Sequence, residues 1–84
     1  MENAENALWI EIKNVVGAIK KISTVIVEHK GNINEIEQMG KKENINLYME
    51  IDGVKNFPKL VRDLEKLEVV VTVTTVPSFG YVYG

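Results

Sequence analysis

A change of hydrophobic period occurs within residues 8–31, which read LWIEIKNVVGAIKKISTVIVEHKG. Aliphatic residues alternate with polar or aromatic ones over residues 8–13, as in a half-buried strand. Residues 14–17 break the alternation, and apolar residues then recur three and four positions apart, as on one face of an amphipathic helix. Gly31 can adopt the left-handed conformation that ends a helix. The segment therefore predicts a strand, a short loop and a helix.

The next part of the chain predicts two strands of unequal regularity. Residues 32–39 are the less regular, because Ile33 and Ile36 have opposite parity and cannot both face one side of an ideal strand. A bulge or an edge position is expected there. Residues 45–52 alternate cleanly between apolar and polar side chains and predict a half-buried strand.

The last part predicts a second helix and a final strand. Asn56 is a suitable N-cap with Pro58 in the first turn, and leucine and valine side chains follow at helical spacing. Residues 68–76 are rich in β-branched side chains and predict a strand that stops at Pro77. The alternation within this strand places three valines on one side: Val69, Val71 and Val73.

The order of elements is strand, helix, strand, strand, helix, strand. It predicts an α+β fold, the ferredoxin-like βαββαβ sandwich, in which a four-stranded antiparallel sheet carries two helices on one face. We expect a flexible leader over residues 1–7 and one domain over residues 8–77. Residues 78–84 carry three aromatic side chains. They are either a tail packed on its own domain or the start of a linker to a further domain.

Composition restricts the function classes. The chain has 84 residues, a net charge of −2 and no cysteine, so disulfides, thiolate metal sites and thiol catalysis are excluded. The missing basic excess disfavours nucleic acid as a partner. No apolar run is long enough for a membrane span and no signal-peptide pattern is present, so a cytoplasmic location is expected. One histidine and one arginine are a thin supply for acid–base chemistry; we expect no enzyme, cofactor or metal.

Two amide–glycine motifs flank the first helix. Asn14 and Gly17 lie in the loop that precedes it, and Gly31 and Asn32 follow it. Gly17 lets a ligand approach backbone N–H groups at the positive end of the helix dipole, which suits a carboxylate. With the element order, this pair of motifs resembles the ACT domain, a small regulatory module that senses amino acids and similar metabolites. The resemblance extends from Leu8 to about Pro77.

The resemblance implies an effector, expected to be an amino acid, bound at a homodimer interface. Asn14 and Asn32 would be its polar contacts, and Gly17 and Ala18 would offer backbone N–H groups to its carboxylate. The apolar residues of the two motifs would shape the rest of the site. The whole implied set consists of Asn14, Val15, Val16, Gly17, Ala18, Ile19, Asn32 and Ile33.

Other interpretations stay open. Asparagine and glycine are frequent in any strand-to-helix loop, and Val16 stands where the family commonly has a proline, which favours a dimerisation module without a ligand. His29 suits the negative end of the first helix dipole better than a metal site. Trp9 and Tyr48 lie on strand faces opposite the core pattern and are expected at an interface, with RNA binding less favoured. Arg62, inside the second helix, is expected to face solvent rather than an anion.

Overall fold

The computed structural model describes residues 6–40 and 42–76. It shows the predicted order of elements: β1 (Asn6–Lys13), α1 (Ala18–Glu28), β2 (Asn32–Met39), β3 (Asn44–Asp52), α2 (Phe57–Glu65) and β4 (Val70–Val76). Two residues of the expected leader, Asn6 and Ala7, belong to β1. The rest of the leader, Pro77 and the expected tail over 78–84 lie outside the described residues.

All strand pairs are antiparallel, and the strand order is β2-β3-β1-β4. The two central strands, β1 and β3, turn alternate side chains toward the helices, as their period-two patterns predict. The predicted ferredoxin-like sandwich is therefore confirmed. Its core consists mainly of completely or almost completely buried aliphatic side chains: Leu8, Ile10, Ile12, Ile22, Ile26, Leu47, Met49, Ile51, Leu60 and Leu64. Each contributes roughly 1.5–3 kcal/mol by leaving water.

The irregular strand β2 is both bulged and at an edge of the sheet. Ile33 pairs with Ile51, whereas Glu35 pairs with Glu50, so Asn34 is the extra residue. The bulge restores the parity of β2, because Ile36 then lies opposite the buried Met49. Both alternatives that the sequence left open are realised together, and both isoleucines lie on the helix side of the sheet.

The predicted valine face of β4 is wrong because this strand also carries a bulge. Ile12 pairs with Val70 and Glu11 with Thr72, which leaves Val71 without a cross-strand partner. Val71 is exposed, whereas Val70 and Val73 pack against the core. Val69 is buried just before the strand begins.

The end of α1 also differs from the prediction. Lys30, not Gly31, takes the left-handed conformation, with φ 65°. Gly31 serves close packing instead, since a Cβ there would lie 2.7 Å from Cγ2 of Ile26 and 2.9 Å from Cγ2 of Val54. Its N–H donates to the carbonyl of Ile26. Glycine is required here because the helix end and the loop after β3 approach each other.

Candidate ligand-binding site

Two hydrogen bonds hold the start of the first loop, residues 14–17, in place. The backbone N–H of Asn14 donates to the carbonyl of Glu43 at 2.8 Å, and its Nδ2 donates to the carbonyl of Lys42 at 2.8 Å. Both acceptors belong to the connection between β2 and β3. One role of Asn14 is therefore to hold the loop against this connection. From the sequence, such a structural role was expected only as an alternative to ligand binding.

The end of the first loop leaves the N-terminus of α1 open. Gly17 is the N-cap residue, with φ 83°, and it makes no side-chain cap. The first turn of α1 contains no acidic residue. The N–H of Ala18 donates to the carbonyl of Val15 at 3.2 Å, while the following N–H groups of the first turn have no intrahelical acceptor. Open space surrounds the position that a Cβ on Gly17 would take. The geometry allows an anionic group to approach the positive end of α1.

Of the side chains around this open end, two are exposed to solvent and two face the core. Val15 is half exposed and Val16 is fully exposed. Ala18 is buried and Ile19 packs against the core, so neither side chain is open to a ligand. The predicted contact from the N–H of Ala18 is already taken by the carbonyl of Val15, which leaves the N–H groups that follow it in the first turn. The two valines are the apolar side chains that a ligand or a second chain could cover here.

Asn32 and Ile33 lie at the opposite end of the sheet. Lys13, just before Asn14, pairs with Asn44 at the start of β3, and Asn32 pairs with Asp52 at its end. Eight residue steps separate these two positions of β3, which is about 26 Å of strand. A single chain therefore does not bring the two predicted halves of the site together.

The second half has its own hydrogen bonds. Nδ2 of Asn32 donates to Oδ1 of Asn34 at 2.7 Å, and Nδ2 of Asn34 donates to Oδ2 of Asp52 at 2.9 Å. Ile33 is half-buried and packs against the core. Asn32 itself is exposed at the start of the edge strand, where a second molecule could reach its side chain.

A side-chain hydrogen bond joins the two helices at the C-terminal end of α1. Nε2 of His29 donates to Oδ2 of Asp63 at 2.8 Å, and Nζ of Lys66 lies 3.6 Å from Oδ1. The hydrogen bond from His29 is the main reason that the pKa of Asp63 is below its ordinary value; Lys66 lowers it further, and desolvation opposes the shift. Sequence reasoning gave His29 only a helix-dipole role, because its partner is 34 residues away.

The structure places Trp9 and Tyr48 opposite each other in the centre of the sheet, on the face that points away from the helices. They pair across β1 and β3, and their ring centroids lie 6.3 Å apart. Trp9 is 37% exposed. That this face is an interface stays a prediction.

Two of the open grooves that border the helices lie at different ends of the molecule. One, of about 450 Å³, runs from Gly17 along the exposed side of α1, past Lys20 and Lys21. The larger, of about 780 Å³, lies at the other end of the molecule between the start of α2 and the β1–β4 edge, beside Phe57 and Arg62. Only the first groove includes a predicted site residue. No group of histidine, cysteine and carboxylate side chains within residues 6–40 and 42–76 could hold a metal ion, and no helix in these residues is long and apolar enough to cross a membrane.

The fold has close counterparts among solved structures. The ACT domain from GTP pyrophosphokinase of Chlorobium tepidum superposes with a TM-score of 0.74 at 24% identity, over 89% of this chain and all of that one. An ACT domain protein from Streptococcus pneumoniae gives 0.65 at 21% identity, over 87% and 91% of the two chains. A homoserine dehydrogenase from Thiobacillus denitrificans gives 0.68 at 17% identity, and the match covers 88% of this chain but 17% of the enzyme. These likenesses show the fold.

Similarity in sequence shows the family of the chain. An uncharacterized protein of Methanocaldococcus jannaschii is 32% identical over 82 residues, which are 95% of this chain and 38% of that protein. The chain thus spans well under half the length of this relative. The family model of the ACT domain matches residues 9–69. The chain belongs to the ACT domain family, whose members are generally regulatory ligand-binding domains rather than catalytic ones.

Proposed function

We propose that this domain binds a small effector, an amino acid, at the interface of a homodimer and thereby regulates an attached or associated activity. The observation that carries the proposal is the open N-terminus of α1, where Gly17 provides no side-chain cap and Val16 is fully exposed. Backbone N–H groups and apolar surface are available together at this position.

A second copy can complete the site through the edge strand β2. The outer edge of β2 has no neighbouring strand among the described residues, so its backbone N–H and C=O groups can pair with another strand. Antiparallel pairing of two β2 strands about a two-fold axis would place Asn32 of the second copy beside the Met39 end of the first. Met39 pairs with Asn46, at the end of the sheet where the first loop lies. Dimerisation would thus bring together the two groups that one chain holds apart.

The chemistry of this composite site suits an amino acid. The α-carboxylate would accept hydrogen bonds from the N–H groups at the start of α1. The side-chain amide of Asn32 can accept a hydrogen bond from an α-ammonium group. Val15 and Val16 would cover an apolar side chain. The effector shifts the assembly only by the difference between its affinities for two states.

Thermal-shift screening against the twenty L-amino acids tests the proposal. An effector at one hundred times its dissociation constant adds about 2.7 kcal/mol to the free energy of unfolding, which raises the melting temperature of a domain this size by roughly 10–20 °C. The substitution Asn32→Ala should remove most of this shift. Thr74→Ala is the control, because Thr74 is an exposed polar residue on β4, the strand at the edge of the sheet opposite β2.

A dimerisation module without a ligand is the second candidate. The observation in its favour is that Nδ2 of Asn14 already donates to the carbonyl of Lys42, which gives this residue a structural role. Sedimentation would then show a dimer whose melting temperature ignores every amino acid. That result, or an amino-acid shift that Asn32→Ala leaves intact, would contradict the effector site described above.

A further inference from the structure

The outer face of the sheet carries all five acidic side chains of the described strands. Side chains alternate along a strand, so residues next to the buried positions of β1 and β3 point away from the helices. Cross-strand pairs extend this face onto β2, where Glu37 lies opposite Tyr48 and Glu35 opposite Glu50. The carboxylates of this acidic face are Glu11, Glu35, Glu37, Glu50 and Asp52. Lys13 is its one cation among the described strand residues.

The carboxylates of the acidic face meet neutral groups rather than cations. Glu11 accepts a hydrogen bond from Nδ2 of Asn44 at 2.8 Å, and Glu50 accepts one from the hydroxyl of Tyr48 at 2.6 Å. Within residues 6–40 and 42–76, the ion pairs that the structure shows involve Asp63, on the helix side of the molecule. The negative charge of the acidic face is therefore not neutralised locally.

Basic side chains concentrate on the helices instead. They include Lys20 and Lys21 on α1 and Lys59 and Arg62 on α2, all exposed. Glu28, Asp63 and Glu65 on the same helices nearly balance these cations. The small net charge of −2 therefore hides one strongly acidic face, the outer face of the sheet. A second copy of the chain would not cover one acidic face with another, because like charges would oppose each other.

An aromatic pair lies at the centre of the acidic face. The rings of Trp9 and Tyr48 are tilted by 55° with their centroids 6.3 Å apart. Trp9 remains 37% exposed. Arginine side chains stack on such rings and bind carboxylates through two parallel hydrogen bonds. Tyr48 is half-buried beside the exposed Trp9. An aromatic pair that is partly open to solvent and surrounded by unneutralised carboxylates is complementary to an arginine-rich chain.

We propose that the outer face of the sheet docks a basic, arginine-rich segment of a partner protein, with Trp9 and Tyr48 at the centre and Glu35, Glu37 and Glu50 around them. Glu35 and Glu37 lie on the edge strand β2, but their side chains point out of the sheet plane and leave the backbone groups of that edge available for strand pairing. The open end of α1 does not belong to this surface. The proposal therefore does not depend on an amino-acid effector, and substitutions at Asn32 should leave the docking unchanged.

The sole tryptophan of the chain reports directly on this face. The probe is a nine-residue peptide with four arginines, and its control is the same peptide with glutamines in their place. Titration with the arginine peptide should change the emission of Trp9 saturably, whereas the glutamine peptide should not. The affinity should fall about tenfold between 50 and 300 mM salt, because screening weakens exposed charge pairs.

Two double variants separate a local site from a general charge effect. Glu35→Gln/Glu37→Gln removes two charges from the acidic face, and Glu65→Gln/Glu68→Gln removes two exposed charges elsewhere. The first should weaken peptide binding about fivefold, and the second less than twofold. Equal losses in both, an unchanged Trp9 emission, or equal binding of the glutamine peptide would overturn the proposal. So would sedimentation showing that copies of the chain associate through Trp9 and exclude the peptide.

Discussion

Two four-residue loops lead from a strand into a helix, and they are built in opposite ways. Residues 14–17 leave the start of α1 without a side-chain cap. Residues 53–56 close the start of α2, because the side chain of Asn56 accepts a hydrogen bond from the N–H of Lys59 at 3.1 Å and Pro58 lies in the first turn. The apolar residue of the closed loop, Val54, packs against the core, whereas Val16 in the open loop is fully exposed.

The difference separates a loop that serves the fold from one that is available for binding. The closed loop satisfies its helix terminus internally and buries its apolar side chain, so substitutions there should affect the free energy of unfolding. The open loop leaves its helix terminus and its apolar side chain free to contact another molecule. Substitutions near the open helix end should therefore affect binding more than the free energy of unfolding.

The largest contrast is expected between the two glycines. Both have positive φ, 83° at Gly17 and 89° at Gly53, which costs an alanine about 1–2 kcal/mol. A Cβ on Gly53 would also lie 2.8 Å from the carbonyl oxygen of Lys30, while one on Gly17 would meet open space. Gly53→Ala should therefore cost about 3 kcal/mol and Gly17→Ala about 1 kcal/mol. Urea unfolding of both variants measures this difference, and equal losses would contradict it.

A smaller contrast is expected between the two valines. Val54→Ala should lower the free energy of unfolding by about 1–2 kcal/mol, because Val54 packs against the core and its Cγ2 faces Gly31. Val16→Ala should change it by less than about 0.5 kcal/mol. Chemical denaturation compares the two variants, and sedimentation tests whether only Val16→Ala weakens self-association. The distinction between the loops fails if Val16→Ala proves the more destabilising.

The smallest effect concerns the C-terminal end of α1, where His29 binds Asp63. Because the pKa of Asp63 is lower in the folded protein, the pair stabilises the fold fully above about pH 5 and loses this contribution as pH falls further. The side chain of Asp63 is 31% exposed, so solvent screens the pair. The stability advantage of the native chain over Asp63→Asn should be present at pH 7 and shrink toward pH 3.

Urea unfolding at pH 7, 5 and 3.5 measures this dependence. His29→Ala should reduce the acid sensitivity in the same way, since the hydrogen bond from His29 is the main cause of the lowered pKa. A stability difference between the native chain and Asp63→Asn that stays constant over this range would show that the pair does not link folding to pH.

The regular elements could be predicted because their apolar periods lie within short windows. The alternation of residues 45–52 and the N-cap at Asn56 are local signals, and both agree with the structure. The valine face of β4 could not be predicted, because the bulge at Val71 is set by pairing with β1. The role of Gly31 could not be predicted either, since it depends on Val54, which is distant in the chain.

The residues of the candidate site were predicted from the sequence, but their positions relative to one another were not. Asn14 and Asn32 were identified from their spacing around α1, but only the pairing register shows that they lie at opposite ends of β3. Neither could the sequence show that His29 binds Asp63 or that the acidic side chains collect around Trp9 and Tyr48. The sequence by itself determined the elements, their order and the family resemblance, because these depend on neighbours within a few residues. The tertiary structure alone decided which distant residues meet, because strand register and the two bulges bring together positions that are far apart in the chain.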